Sequence, residues 1–359
     1  MSATGNRLHS DPLLEMSGVS VDFPVKRAYP FSKRRWIQAV TDVSLQIAEG
    51  ETFSIVGESG CGKSTLANAM IGMVRPTAGT VRFQGDDLYA LRPRAFKDAR
   101  RNMQMIFQDP FSSLNPRFTV YDIIREPLYI RGGISEADMQ RKVLDLLRLV
   151  GLDEEDLRRN PSDFSGGQRQ RIGIARAIIL NPRFLVCDEP VSGLDVSVHA
   201  QILNLLMEIQ RDRNLTYVFI SHNLAVVKNI SQNVLVMYLG KVMEAGASDA
   251  LFANPLHPYT KALLSAVLDV DVQGSHDRIL LKGDTPSPID PPKGCRFWQR
   301  CPFAMKGCGT IPAELTEVES GHRVACHRVS GFSSEQRAAG LHRPVSESVE
   351  DEDLSSQAG

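Results

Sequence analysis

Residues 52–65 read TFSIVGESGCGKST. A short β-forming run leads directly into the pattern G-x-x-x-x-G-K-[ST], which places a glycine-rich loop between a strand and a helix. Glycines at 57, 60 and 62 let the backbone turn tightly, so that successive N–H groups and the start of the helix face phosphate oxygens. Lys63 is placed to reach the β- and γ-phosphates of a nucleoside triphosphate, and the Ser64 hydroxyl to ligate Mg²⁺. The candidate nucleotide loop thus comprises Gly57, Glu58, Ser59, Gly60, Cys61, Gly62, Lys63, Ser64 and Thr65.

Working outward, FLVCDEP at 184–190 is an apolar strand ending in two carboxylates. Downstream of a phosphate loop, Asp188 is the candidate Mg²⁺ partner and Glu189 the group that polarises an attacking water. FSGGQRQR at 164–171 opens a long helix ending near Leu180. Its Ser165 hydroxyl with the amides of Gly166 and Gly167 makes a second anion-binding nest at a helix start.

Further β-branched runs, EMSGVSVDF, AVTDVSLQI, TVRF, MQMIF, TYVFI and VLVMY, alternate with helical patterns and predict an α/β core. The first two, at 15–23 and 39–47, predict antiparallel strands around a basic, aromatic insertion, KRAYPFSKRRW (26–36). Residues 135–150 place Met139, Val143, Leu146, Leu147 and Val150 on one helical face, with Ser135 and Asp138 as its capping pair. The polar, acidic segment from about 330, ending VSESVEDEDLSSQAG, predicts disorder.

Composition narrows the class. The 42% apolar content supports a packed core, and 41 basic against 42 acidic side chains leave no electrostatic footprint for nucleic acid. No run approaches the roughly 20 apolar residues of a bilayer span, and MSATGNRLHSDPLLEM lacks the layout of a secretion signal.

GESGCGKST, SGGQ at 165–168, FLVCDEP, SGLD at 192–195 and His222 after a strand resemble, in order and spacing, the motif set of ABC ATPases over residues from about 14 to 250. The resemblance implies a RecA-like P-loop core with an antiparallel β subdomain and a helical subdomain at about 110–180. It also implies that ATP and Mg²⁺ bind between two such chains, with Ser165, Gly166, Gly167 and Gln168 of one closing over the phosphate loop of the other. Gln108 in MIFQDP matches the glutamine that senses the γ-phosphate and Mg²⁺, His222 the histidine that contacts the γ-phosphate, and Asp195 an aspartate at the dimer contact. An aromatic residue normally stacks on adenine in this family; Tyr29, Phe31 and Trp36 all qualify.

IFQDPFSSLNPR (106–117), NPLHPYTKALLSAV (254–267) and GCRFWQRCPFAMKGC (294–308) are similar to ATPase subunits of bacterial oligopeptide and dipeptide importers, in particular the second of the two paired ATPases. That resemblance implies a related second ATPase as heterodimer partner, two transmembrane permease subunits, an external solute-binding protein, no nucleic acid, and a peripheral place on the cytoplasmic face of the inner membrane. The implied layout is an extension at 1–13, the ATPase domain at 14–250, a small Cys-rich C-terminal region at 251–329, and the tail. Soluble ABC ATPases of DNA repair or translation, and metal-sensing regulatory ATPases, are the rival classes.

Cys295, Cys301, Cys308 and Cys326 follow a C-x5-C-x6-C-x17-C spacing, apart from Cys61 and Cys187. Four thiols this close in sequence are candidate ligands of one metal site. The importer resemblance implies a [4Fe–4S] cluster; Zn²⁺, a mixed site with His322 or His327, and unliganded thiols stand beside it.

Overall fold

The computed structural model describes residues 11–26, 29, 34–268 and 279–331, with positions 336, 337, 339 and 341. Two sheets carry the fold. Strands β1 (Leu14–Pro24), β2 (Trp36–Ile47), β4 (Ala78–Phe83) and β5 (Asp86–Asp87) form an antiparallel sheet in the order β2-β1-β4-β5. The larger sheet takes β3 (Thr52–Val56), β6 (Met103–Ile106), β7 (Phe184–Asp188), β8 (Thr216–Ser221), β9 (Asn233–Tyr238), β10 (Lys241–Ala247), β11 (Thr316–Glu319) and β12 (His322–Val324), in the order β11-β12-β10-β9-β3-β8-β7-β6.

The five strands from β9 to β6 run parallel, and every residue of β3, β7 and β8 is buried. That burial explains their unbroken apolar spelling, since a parallel strand covered on both faces has no solvent side to alternate towards. The early antiparallel pair is present as expected, with Leu14 opposite Ile47 and Phe23 opposite Ile37. Residues 27, 28 and 30–33 of the insertion between them lie outside the described residues.

Between β6 and β7 the chain leaves the sheet and builds a helical layer. Helices Val120–Arg131, Glu136–Leu149 and Gly166–Ile178 start at Thr119, Ser135 and Ser165, whose side-chain oxygens accept a backbone N–H of the first turn. Met139, Val143, Leu146, Leu147 and Val150 are buried as the 3.6-residue period requires, against Ile172, Ile174 and Ile178.

The C-terminal region continues the main sheet: β12 pairs with β10, whose short Gly- and Ala-containing sequence gave no strand signal. Phe297 and Tyr259 pack into the same cluster as Val56 and Tyr238 of the central strands. So short a segment buries little apolar surface by itself and acquires a core by sharing one. The Glu244 carboxylate, fully buried, cements the join. It accepts from Leu256 N and His257 N at 2.8 and 2.9 Å and lies 2.7 Å from His322 Nε2. Of the acidic tail, 342–359 fall outside the described residues, while Leu341 O accepts from Gly307 N at 2.9 Å.

Because the Glu244–His322 pair is sealed from water, removing one partner leaves a buried group uncompensated. His322→Ala is expected to cost roughly 3 kcal/mol of folding free energy, read as a lower urea midpoint for the full chain.

Candidate functional site

Strand β3 delivers the glycine-rich loop to the end of the parallel sheet, and two of its glycines are sterically required. At Gly57 (φ +151°) a Cβ would lie 2.2 Å from Met237 O; at Gly62 (φ +104°) it would lie 2.1 Å from Ala39 O. Neither approach admits a side chain. Gly62 precedes helix Lys63–Met70, whose first-turn N–H groups open towards the loop. Lys63 is 5% exposed, and its Nζ donates to Gly57 O at 2.8 Å and Glu58 O at 2.9 Å. The ammonium is therefore held at the loop by carbonyls that a phosphate oxygen can replace as acceptor. Cys61 is buried, and burial pushes its thiol pKa up against the opposing pull of Lys63.

The carboxylates at the end of β7 split in environment. Asp188 is buried, and burial raises its pKa; a hydrogen bond with Ser64 lowers it and the Glu189 charge raises it further. Its Oδ1 is buried and has no hydrogen-bond partner among the described residues. An orphaned carboxylate oxygen beside a serine hydroxyl suits a hard divalent cation, so these residues fit Mg²⁺. Glu189 adopts φ +44°, an uncommon conformation for a residue with a side chain. Its Oε2 accepts from Gln108 Nε2 at 3.0 Å and lies 3.3 Å from His222 Nδ1. Three residues separated by 81 and 33 positions thus meet at one oxygen. His222 remains largely exposed, with 65% of its side chain accessible, whereas Glu189 has 14%.

A cleft of about 310 Å³ adjoins them, lined on one side by Ser59, Gly60, Gly62, Lys63, Ser64, Thr65, Gln108 and Glu189; Asp188 and His222 do not line it. Phe23, Ile37, Gln38, Ala39, Leu239, Gly240 and Pro288 complete it. Phe23 is the aromatic ring at the cleft. Tyr29 and Trp36 do not line it, Trp36 instead having the Arg34 guanidinium 5.0 Å above its ring, and Phe31 lies outside the described residues. Phe23 was legible only as the last apolar residue of a strand; the register that sets it opposite Ile37 is what brings it to the cleft. Glu58 carries no cleft-lining atom, and its carboxylate is bonded to Thr285 and Arg300.

Ser165, Gly166, Gly167, Gln168 and Asp195 are not at this cleft. Ser165 Oγ accepts from Gln168 N at 3.4 Å, and Gln168 Oε1 accepts in return from Ser165 N at 3.0 Å. A Cβ on Gly166 would lie 3.0 Å from Leu194, and one on Gly167 2.5 Å from Val198, so this helix start packs on the 192–198 segment that includes Asp195. The glycine-rich loop and the Ser165 helix start are therefore separate surfaces of one chain.

Cys295, Cys301, Cys308 and Cys326 line one small cavity together with His257 and His327, and all four are free thiols. Burial pushes Cys295 up to about 12 and Cys301 up to about 11, with neighbouring thiols adding to the rise. Among the described residues no group of three or more Cys, His, Asp or Glu side chains is arranged to hold a metal ion. The donor set suits a soft metal, but the thiols do not form a closed ligand shell.

Comparison with known proteins agrees with this geometry. Residues 40–192 match the ABC transporter family, and residues 243–308 match the oligopeptide/dipeptide transporter C-terminal region. The chain is 49% identical to the oligopeptide transport ATP-binding protein AppF of Bacillus subtilis, over 90% of this chain and 99% of that protein. It is 48% identical to the oligopeptide transport ATP-binding protein OppF of Salmonella typhimurium, over 88% of this chain and 96% of that one. In structure it is similar to the dimeric ATP-binding cassette MJ0796 in a post-hydrolysis state bound to ADP and Pi. That likeness has a TM-score of 0.58 and 28% identity, covering 66% of this chain and 98% of the other.

Gly57→Ala sets a methyl group against Met237 O. With the fold retained by circular dichroism, it is expected to weaken binding of a fluorescent ATP analogue about tenfold or more, a loss of at least about 1.4 kcal/mol. Wild-type affinity would contradict the loop geometry.

Proposed function

The chain belongs to the ATP-binding subunits of ABC transporters, in their oligopeptide and dipeptide branch, and on that premise we propose that it hydrolyses ATP to power import of oligopeptides or dipeptides across a bacterial inner membrane. The observation that carries the proposal is the meeting of Gln108, Glu189 and His222 at one oxygen beside Lys63 and Ser64, in a cleft with an apolar rim.

Each chain residue has a role in that reading. Loop amides and Lys63 hold the triphosphate, and the exposed ring of Phe23 with Ile37 receives the base. Glu189 is the general base that takes a proton from the attacking water. Gln108 and His222 orient its carboxylate and reach the γ-phosphate. Ser64 and Asp188, with Gln108 nearby, would hold Mg²⁺, which would supply charge neutralisation at the phosphates. Ser165 to Gln168 and Asp195 act on the other chain of a two-cassette sandwich, which accounts for their distance from this cleft. The sandwich closes on ATP and separates after hydrolysis, and a related ATPase subunit is the partner.

The sandwich works with two permease subunits and an external solute-binding protein. A groove flanking the Gln108 segment exposes Met73, Phe107 and Ile130, with Arg100, Glu126 and Arg131 at its edges. Apolar side chains left this exposed next to the γ-phosphate sensor suit a docking site for a permease, which supports a peripheral position on the cytoplasmic face of the membrane. Among the described residues no helix is long and apolar enough to cross a membrane. The transporter-type C-terminal region favours this reading over DNA repair, translation or metal sensing.

For the four cysteines we propose a [4Fe–4S] centre, with Zn²⁺ as the other candidate. A cation among them would reverse the raised pKa values by favouring thiolates, at the cost of a local rearrangement that closes the ligand shell.

Glu189→Gln is expected to retain ATP affinity and lower turnover roughly 10²-fold or more; near-normal hydrolysis removes Glu189 from the base role. Anaerobically purified protein should show about four irons per chain and a broad band near roughly 400 nm, whereas stoichiometric zinc assigns a structural clip and absence of both leaves free thiols.

A further inference from the structure

Glu58 lies inside the phosphate loop, yet its carboxylate bonds to the C-terminal region. Its Oε2 accepts from Arg300 Nη1 at 2.7 Å and from Thr285 Oγ1 at 2.9 Å, and its backbone N–H donates to the Tyr259 hydroxyl at 2.8 Å. These partners are 242, 227 and 201 residues away in the chain. Arg300 also donates to the Tyr238 hydroxyl at 3.3 Å, and only 11% of its side chain is exposed. The pair is thus largely withdrawn from solvent, where a charge-assisted bond is stronger and less screened than at a surface.

A second arginine braces the opposite wall of the same cleft. Arg296 is 3% exposed; it donates through Nη1 to Leu239 O and through Nη2 to Gln38 Oε1 at 2.6 Å and Thr41 Oγ1 at 2.9 Å. Leu239 and Gln38 both line the cleft. Phe297, fully buried between the two arginines in sequence, stands edge-on to Tyr238 at 5.3 Å and tilted against Tyr259 at 5.2 Å, so the segment 296–300 is fixed on the central strands.

The electrostatics make this more than scaffolding. A carboxylate one residue from Gly57 stands beside the place where a triphosphate must sit, and an unpaired negative charge there opposes binding. We propose that Arg300 is a positioning residue for the nucleotide site: by pairing with Glu58 it neutralises the acidic side chain of the phosphate loop, holds it away from the cleft, and so sets affinity for ATP. The inference rests on the reading of this cleft as the ATP site, and it makes residues 285–300 part of that site's construction. Arg300 touches no phosphate in this account and acts only through Glu58.

The test measures affinity of the full-length chain for a fluorescent ATP analogue with Mg²⁺, alongside KM and kcat for ATP hydrolysis. Lys63→Ala serves as the control for the site itself: if the wild type fails to bind, or Lys63→Ala binds equally well, the ATP-site reading fails, and the inference with it. Given a positive control, Arg300→Met is expected to weaken binding about tenfold and raise KM in proportion, with kcat changed little. Adding Glu58→Gln to that variant removes the unpaired charge and is expected to restore affinity to within about threefold of wild type. Arg300→Lys, which keeps the charge, is expected to bind more tightly than Arg300→Met. Affinity of Arg300→Met within twofold of wild type, or a double variant as weak as the single one, would overturn the proposal. Should Arg300→Met fail to fold by circular dichroism, Thr285→Val carries the test. It removes one of the two bonds on the Glu58 carboxylate and is expected to weaken binding about threefold; unchanged affinity overturns the proposal.

Discussion

Parallel pairing of β3 between β8 and β9, and of β7 between β6 and β8, is the constraint on which the site depends. Parallel strands end at the same edge, and each strand here releases a functional segment there. Gly57 follows β3, Gln108 follows β6, Asp188 closes β7 with Glu189 next to it, and His222 follows β8. Leu239 and Gly240 follow β9 and form the opposite rim. Ligands of open α/β sheets bind outside the carboxyl ends of the strands for this reason: the edge gathers loops distant in sequence onto one rigid base.

The same geometry keeps the second glycine-rich helix start away from this edge. The Ser165 helix start belongs to the helical layer inserted between β6 and β7, and its glycines pack against Leu194 and Val198 instead of facing the β3 loop. The two helix starts, after Gly62 and after Ser165, thus stand on different parts of the chain. Lys63 satisfies itself on the carbonyls of Gly57 and Glu58, acceptors that a phosphate oxygen can replace.

The C-terminal region reaches the site by a different physical route. It has little core, so it borrows Val56 and Tyr238, and its strand β12 lies on the free edge of β10. Sharing a core brings Thr285, Pro288, Arg296 and Arg300 against the phosphate loop and the β2 edge. Stability of the appendage and construction of the nucleotide cleft are consequently the same set of contacts. Cys295 and Cys301 adjoin Arg296 and Arg300 in the chain, which ties the cysteine cavity to the geometry of the cleft.

Local chemistry determined a large part of this protein from sequence alone. Glycines at fixed offsets ahead of Lys63, an apolar strand ending in two acids, and a serine before two glycines at a helix start each have one efficient structural use, so motif, strand and cap were readable residue by residue. The helix at Glu136–Leu149 and the antiparallel pair β1 and β2 followed from period alone. Tertiary structure decided whatever depends on pairing across distance. Phe23 faces the cleft because of the β1–β2 register, β10 forms because neighbours bury both its faces, and Glu58 turns to Arg300 across 242 residues. No local pattern encodes such contacts, because each is set by which buried surfaces pack together, a property of the whole fold.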